Sequence, residues 1–348
     1  MKRIIFDINT PFQLLIACTI SEIYYKEDEK TLLLSNSLLK DLENLKERII
    51  TSTFFSRVHI INEKISKEEI IKQVQALNII EKTDIFHFSS YSTVFSCYIY
   101  NNLPNSSTII LNEEGAASYD LFNKYSQFRE NFPNLRADII DLNKLNKIYL
   151  LNEKLYISER KDLINQIEIN KIKDIKSFIK KLNTIYNYHP KSIKEKAIFF
   201  TQNFIDYKII KKDEIIDFCI KLKEIYKDEI IFKLHPFDKL HEMYNSLNIK
   251  YLDINSQIPW ELIVYNETLD NKVFEKTLLS VGSTSLASEQ MYLKNISNLI
   301  KTKNILLIDI FDTPFNKNTN TFYSNLSKKT GFKYFCPKNY KELNSLYP

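Results

Sequence analysis

The chain has 348 residues, more than one hydrophobic core usually serves, since single cores rarely grow past about 250–300 residues. Hydrophobic content of 44% with 26% charged residues excludes a disordered chain. A net charge of +5, from 48 basic against 43 acidic residues, permits an acidic partner such as a nucleotide, a phospholipid surface or an anionic glycan, and requires none.

Short β-branched runs alternate with amphipathic stretches. Candidate strands are RIIFDI (3–8), TLLLS (31–35), RVHII (57–61), DIFHFSS (84–90), TIILNEE (108–114) and ADIIDL (137–142). Between them, stretches such as SKEEIIKQVQAL (66–77) space their apolar residues by three and four, the helical period. Residues 152–187 are charged and keep a helical period. The alternation resumes with AIFFTQ (197–202), a helix near 212–227, EIIFKLHP (229–236), TLLSVGS (277–283) and NILLIDI (304–310). This pattern predicts mostly parallel sheets covered by helices. The pause near 186–195 predicts two α/β domains, 1–190 and 191–348.

Cys18, Cys97, Cys219 and Cys336 are scattered, with no CxxC pair, so neither a zinc site nor a disulfide framework is indicated. No apolar run is long enough to span a bilayer. The start, MKRIIFDINTPFQLL, turns polar too early for a signal peptide. A reducing cytoplasm is the expected location, and no nucleic-acid partner is expected.

In open α/β sheets, ligands bind beyond the carboxyl ends of the strands. Four clusters fall at such positions. DINTPFQLLIA (7–17) is a strand, then Thr10–Pro11, then an apolar helix; Thr10 either faces a ligand or simply starts the helix. TIILNEEGAASYD delivers Glu113 and Glu114 to a turn at Gly115, one of only three glycines. Adjacent side chains at a strand end point to opposite faces, so one of the two carboxylates is the candidate base or hydroxyl clamp. The structural alternative is a solvated charge at a helix start.

EIIFKLHPFD places Lys233 and His235 two residues apart, with Pro236 holding His235 extended. Two cation-capable groups there suit a phosphate; a capping histidine is the plainer reading. The other His-Pro, at 189–190, lacks a preceding apolar strand and reads as structural. LLSVGSTSLASEQ carries the second glycine, Gly282, followed by Ser283, Thr284, Ser285 and a predicted helix. Backbone amides and hydroxyls at a helix start can hold an anion, or form an ordinary cap. The stretch is neither a Walker A nor a GxGxxG motif. The third glycine, Gly331 in KKTGFKY, reads as a helix C-cap.

In this order the clusters resemble the bacterial sialyltransferases, which share a [DE]-[DE]-G motif, an HP motif and a later Ser/Thr motif. The N-terminal TPFQLLIA looks most like the lipooligosaccharide and capsule sialyltransferases, over about residues 7–290. The resemblance implies an α/β GT-B fold, two Rossmann-like domains facing across a central cleft. The first would be the acceptor side and the second the CMP-sugar side. It implies inverting transfer of sialic acid from CMP-sialic acid to a galactose-terminated glycan, in α2,3 linkage, with no cofactor and no metal. His235 would serve the phosphate leaving group, with Lys233 and Pro236 beside it. Gly282, Ser283, Thr284 and Ser285 would hold the same phosphate. In IPWEL, Glu261 would hold the ribose and Leu262 the base. The general base would be Glu114 or Asp213, 22 residues before His235 (235 − 213). Asp213 also reads as a helix N-cap. Peripheral contact with the inner face of a bacterial membrane and a homodimer are compatible with this reading. The alternatives are a glycosyltransferase of the same family using another nucleotide sugar such as a UDP-hexose, and a non-catalytic glycan- or nucleotide-binding protein.

Overall fold

The computed structural model describes residues 1–203, 210–311 and 316–347. The chain divides into two compact units, Met1–Asn187 and Tyr188–Pro348; the sequence reading put the junction between 190 and 191.

Unit 1 runs β1 (Arg3–Ile8), α1 (Pro11–Tyr24), β2 (Glu29–Ser35), α2 (Leu42–Ser52), β3 (Arg57–Ile61), α3 (Lys67–Ala76), β4 (Ile85–Phe88), α4 (Val94–Asn102), β5 (Thr108–Asn112), α5 (Leu121–Asn131), β6 (Lys147–Leu150), β7 (Ile164–Gln166) and α6 (Ile175–Tyr186). The seven strands pair in parallel in the order β3-β2-β1-β4-β5-β6-β7. The chain fills one side of β1, then crosses to β4 and fills the other. The strand order therefore reverses between β1 and β4, where Rossmann-like folds open a crevice.

The inner strands are continuous apolar runs because both their faces are covered. All of β4 is buried, including His87. Its ring stacks on Phe6, with centroids 4.5 Å apart, and bonds Asn112 Oδ1 at 2.9 Å and Tyr25 Oη at 3.0 Å. Burial pushes its pKa down to about 3, so this histidine is a neutral core residue.

Two expectations fail in unit 1. Residues 137–142 form no strand; the strand lies later, at β6. Ala137 and Ile140 are buried, but Ile139 is 69% exposed, so the run is anchored at intervals rather than paired. The stretch 152–187 is helical only from Ile175; before that it is a series of short 3-10 turns around the edge strand β7. Leu155, Tyr156, Leu163, Ile167 and Ile169 are buried there, while Ile157 is exposed.

Unit 2 runs β8 (Ala197–Phe200), α7 (Lys212–Tyr226), β9 (Ile230–Lys233), α8 (His241–Ser246), α9 (Trp260–Glu267), β10 (Phe274–Ser280), β11 (Ile300–Leu306), α10 (Asn316–Thr330) and α11 (Tyr340–Ser345). Its four strands pair in parallel in the order β11-β10-β8-β9, so the reversal lies between β8 and β10. An aromatic core fills the unit. Phe199 meets Phe232 and Phe218 edge-on, at 4.9 and 5.4 Å between centroids. Gly331 ends α10 at φ +76, a left-handed position that favours glycine.

The Ser/Thr stretch starts a 3-10 segment, Thr284–Gln290, where the sequence predicted an ordinary helix. Asp213 is not the N-cap of α7: Lys211 stands there, and Asp213 lies exposed in the first turn.

Candidate functional site

The reversal in unit 1 brings the ends of β1, β4 and β5 together. After β1, Thr10 caps α1 and accepts from the Gln13 amide at 3.2 Å. Gln13 completes a capping box. Its Oε1 accepts from the amides of Asn9 at 2.7 Å and Thr10 at 3.2 Å. Proline at the first helical position gives up no bond, because its missing N–H would have had no partner in the helix. Gln13 is buried, and its Nε2 donates to Glu114 Oε2 at 3.0 Å. The TPFQ and EEG stretches, 101 residues apart in sequence, thus share a direct bond.

The two adjacent glutamates part company. Glu113 is fully buried and accepts from Tyr119 Oη at 2.6 Å and the Leu151 amide at 2.7 Å. It ties the end of β5 to the end of β6. Glu114 is half-buried, and its amide donates to Ser118 Oγ at 3.0 Å. Desolvation pushes its carboxyl up to about 7, against the Gln13 bond that favours the charged form. Gly115 follows at φ +136, ψ −159, a backbone that a side chain would strain. The glycine is therefore required for the turn that frees Glu114 from the strand. On β1, Asp7 is fully buried and accepts from the Ser89 amide at 2.7 Å. Burial pushes it up to about 8, opposed by hydrogen bonds from Ser96 and Ser89 and reinforced by the charge of Glu114.

In unit 2 the ends of β9, β8 and β10 carry the second cluster. The His235 amide donates to Thr201 Oγ1 at 2.8 Å, joining β9 to β8. His235 Nδ1 accepts from the Phe237 amide at 3.2 Å, so a neutral ring carries its proton on Nε2. Burial holds its pKa below the ordinary value, with the Lys233 charge adding to the fall and Asp238 opposing it. Pro236, half-buried, follows. Lys233 is buried, with Nζ on the carbonyls of Leu234 and Ser256, both at 3.2 Å. Desolvation lowers it to about 8, against the pull of Glu261. Glu261, in the first turn of α9, is buried too and accepts from Ser288 Oγ at 2.6 Å. Burial pushes it up, and the bonds it accepts and the Lys233 charge oppose that. The PWE turn and the Ser/Thr segment therefore meet through Glu261 and Ser288, and Lys233 of the HP strand lies close enough for its charge to act on Glu261. Leu262 is fully buried in α9.

The Ser/Thr loop is organised by a residue outside the expected set. Ser280, the last residue of β10, accepts at Oγ from the amides of Gly282 at 3.1 Å and Ser283 at 2.8 Å. Ser283 Oγ accepts from the Ser285 amide at 3.2 Å, and Tyr323 Oη donates to the Ser283 carbonyl at 2.5 Å. Two amides thus converge on one oxygen, as they would on a phosphate oxygen. Gly282 through Ser285 are all half-buried. A Cβ at Gly282 would meet Thr319 at 3.5 Å and Gln202 Oε1 at 3.7 Å, ordinary contacts, so this glycine is not demanded by space.

Thr10, Gln13 and Glu114 come together in unit 1. In unit 2, Thr201 is bonded to His235 and Ser288 to Glu261, with Lys233 on the same strand end as His235 and the 280–285 loop on the end of β10. Gln13, Thr201, Ser280 and Ser288 were missed by sequence reasoning. The T-x-x-Q spacing of a capping box signals the first. Thr201 and Ser280 are polar residues closing buried strands, a signal of the same kind as Lys233. Among the described residues no group of three or more His, Cys, Asp or Glu is placed to hold a metal ion, and no helix is long and apolar enough to cross a membrane.

No protein-family model and no curated protein matches the chain. Solved structures do. The S. aureus MnaA–UDP co-structure aligns at 15% identity and TM-score 0.53, over 99% of this chain and 87% of that one. A candidate UDP-N-acetylglucosamine 2-epimerase from Listeria monocytogenes aligns at 11% identity and TM-score 0.52, over 88% and 79%. With the parallel sheets, these likenesses show the fold: α/β, of the GT-B class, with two Rossmann-like domains.

Proposed function

We propose that the chain is a nucleotide-sugar-dependent glycosyltransferase, and within that class an inverting sialyltransferase. It would move sialic acid from CMP-sialic acid to the terminal galactose of a lipooligosaccharide or capsular glycan, in α2,3 linkage. The observation that carries the reading is the bond that ties the PWE turn to the Ser/Thr segment, Ser288 Oγ to Glu261, with Glu261 and Lys233 of the HP strand each feeling the other's charge. That edge offers what a departing nucleotide phosphate needs. The Gly282, Ser283 and Ser285 amides would donate to the phosphate in exchange for their present bonds to the Ser280 and Ser283 hydroxyls, and His235 Nε2–H would hydrogen-bond or protonate the leaving oxygen. A carboxylate deprotonates the acceptor hydroxyl, which attacks the anomeric carbon as the bond to phosphate breaks, and configuration inverts.

For the base, the structure favours Glu114 over Asp213. A base works best with a pKa near the operating pH, and Glu114 is raised to about 7 while Asp213 stands exposed in α7. We place the reaction in the cytoplasm, at the inner face of a bacterial membrane where lipid-linked acceptors lie, with no metal or cofactor.

A second reading, transfer from a UDP-sugar, draws on the UDP of the S. aureus structure. The test is incubation of the purified chain, with and without EDTA, with CMP-sialic acid or UDP-hexoses and a panel of galactosides. CMP release with an α2,3-sialylated product, unaffected by EDTA, is expected. Turnover of UDP-sugars alone favours the second reading, and CMP binding with no turnover of any donor sinks both.

A further inference from the structure

The bond between Gln13 and Glu114 has a direction. A glutamine amide can be turned either way, but two backbone N–H groups, from Asn9 and Thr10, point at one end of this one. That end must be the oxygen. The NH₂ end is therefore committed to donation, and it meets Glu114 Oε2 at 3.0 Å. A second, longer contact runs from Nε2 to the Ser89 carbonyl at 3.5 Å, on the neighbouring strand end. Gln13 cannot swing away without uncapping α1, and it is buried. We propose that Gln13 is the positioning residue for Glu114: its locked amide occupies Oε2 and leaves Oε1 as the oxygen that takes the proton from an incoming hydroxyl. This rests on the reading of Glu114 as the base.

The surroundings support the assignment. Glu114 Oε1 has no hydrogen-bond partner among the described residues. Asp7 on β1 and Tyr91 after β4 are the titratable groups that feel its charge. Among the described residues no lysine or arginine pairs with it. With no cation at hand, the Gln13 N–H is the group that favours the carboxylate over the acid, while burial does the reverse. Gln13 would therefore set how low in pH the base stays available. A glutamine serves here where a lysine would not, because a fixed ammonium would hold the carboxylate ionised and too weak a base.

The informative variant is Gln13→Glu. A glutamate keeps the acceptor for the Asn9 and Thr10 amides, so the helix cap survives, but it replaces the donor facing Glu114 by another acceptor. Two carboxylates would then share one proton. The acid limb of the pH–rate profile, expected near 7 in the parent chain, should move up by about one unit or more. KM for the donor should hold, and thermal unfolding should be near that of the parent. Gln13→Met, which removes the side-chain half of the capping box as well as the donor, should also lower the unfolding temperature. Direct titration of the Glu114 carboxyl by ¹³C NMR provides a readout besides activity, and it should follow the same upward shift. A Gln13→Glu chain whose acid limb and Glu114 titration both coincide with the parent's overturns the proposal. Glu114→Gln is made alongside. If that variant still transfers sugar, the base reading fails, and the carboxyl titration alone decides whether Gln13 governs Glu114.

Discussion

At the end of β5, Glu114 is gripped by a neutral amide and pushed toward its protonated form by burial. At the end of β9, Lys233 and His235 are pushed toward their deprotonated forms by the same force. Both clusters straddle the strand-order reversal of their own sheet, yet the first gathers the acids Asp7 and Glu114 and the second sets Lys233 and His235 beside one buried acid, Glu261. Desolvation disfavours charge of either sign, so in the unliganded chain both edges are biased toward neutrality. On the proposed function, what separates them is the ligand each would await. A phosphate held by Lys233 and His235 would favour their protonated forms. An acceptor hydroxyl at Glu114 would meet a carboxyl that gives up its proton near neutrality. Each edge is a poor place for an isolated charge, and in the proposed reaction each would carry a charge that comes and goes.

Disabling the acid edge should have the largest effect. Glu114→Gln keeps the size and the Gln13 contact but removes the base, so transfer should fall by about 10²–10⁴-fold while CMP still binds. Asp213→Asn should change little. If instead Asp213→Asn abolishes transfer and Glu114→Gln does not, the assignment of the proton acceptor to the first sheet is wrong, and both roles belong to unit 2.

Disabling the basic edge comes next. His235→Ala should lower kcat by roughly 100-fold, the cost of losing one donor to a developing anion, with acceptor KM nearly unchanged. A donor with a better leaving group, such as a 2,4-dinitrophenyl sialoside if it is accepted, should narrow the deficit, because less help is needed at the departing oxygen. An equal deficit with both donors places His235 in some other step.

How far these edges were legible in the sequence follows from what kind of signal each residue leaves. Strands β1, β2 and β5 were readable because a parallel strand buried on both faces reads as a near-continuous apolar run. The 137–142 run imitates one, but Ile139 faces solvent, and no local pattern separates that from pairing. The glutamate pair was legible as a pair. Which member is structural was not, because Glu113 is settled by Tyr119 Oη and the Leu151 amide, the latter 38 residues away. Gln13 looked like part of an apolar helix start; its meaning depends on a partner 101 residues downstream. Ser280 was hidden for the opposite reason. Its bonds are local, but a serine ending a strand is too common to single out. Short-range chemistry such as the Thr10–Pro11 start survives in sequence, whereas long-range bonds need the fold.

The smallest effect concerns stability, and it tests whether burial acts in opposite senses on the two edges. Asp7 has an ordinary pKa of 3.8 and is raised to about 8 in the folded chain, and Glu114 goes from 4.5 to about 7. A raised acid stabilises the fold fully below its unfolded value, and that contribution is lost as pH climbs to the folded value. Unit 1 should therefore weaken between about pH 4 and 8. Lys233, lowered from 10.5 to about 8, does the reverse. Its contribution is complete above the unfolded value and is lost as pH falls toward 8, so unit 2 should strengthen between about pH 8 and 10.5. Asp7→Asn retains an oxygen for the Ser89 amide and removes the titration. It should flatten the decline between pH 4 and 8 and leave the chain more stable than the parent at pH 8 by about 1 kcal/mol or more. The rise above pH 8 should remain. Urea unfolding at a series of pH values, followed by far-ultraviolet circular dichroism, measures the whole chain, while fluorescence of Trp260, the only tryptophan, reports unit 2. A parent-like slope below pH 8 in Asp7→Asn means that Asp7 is not the buried acid that shapes this edge.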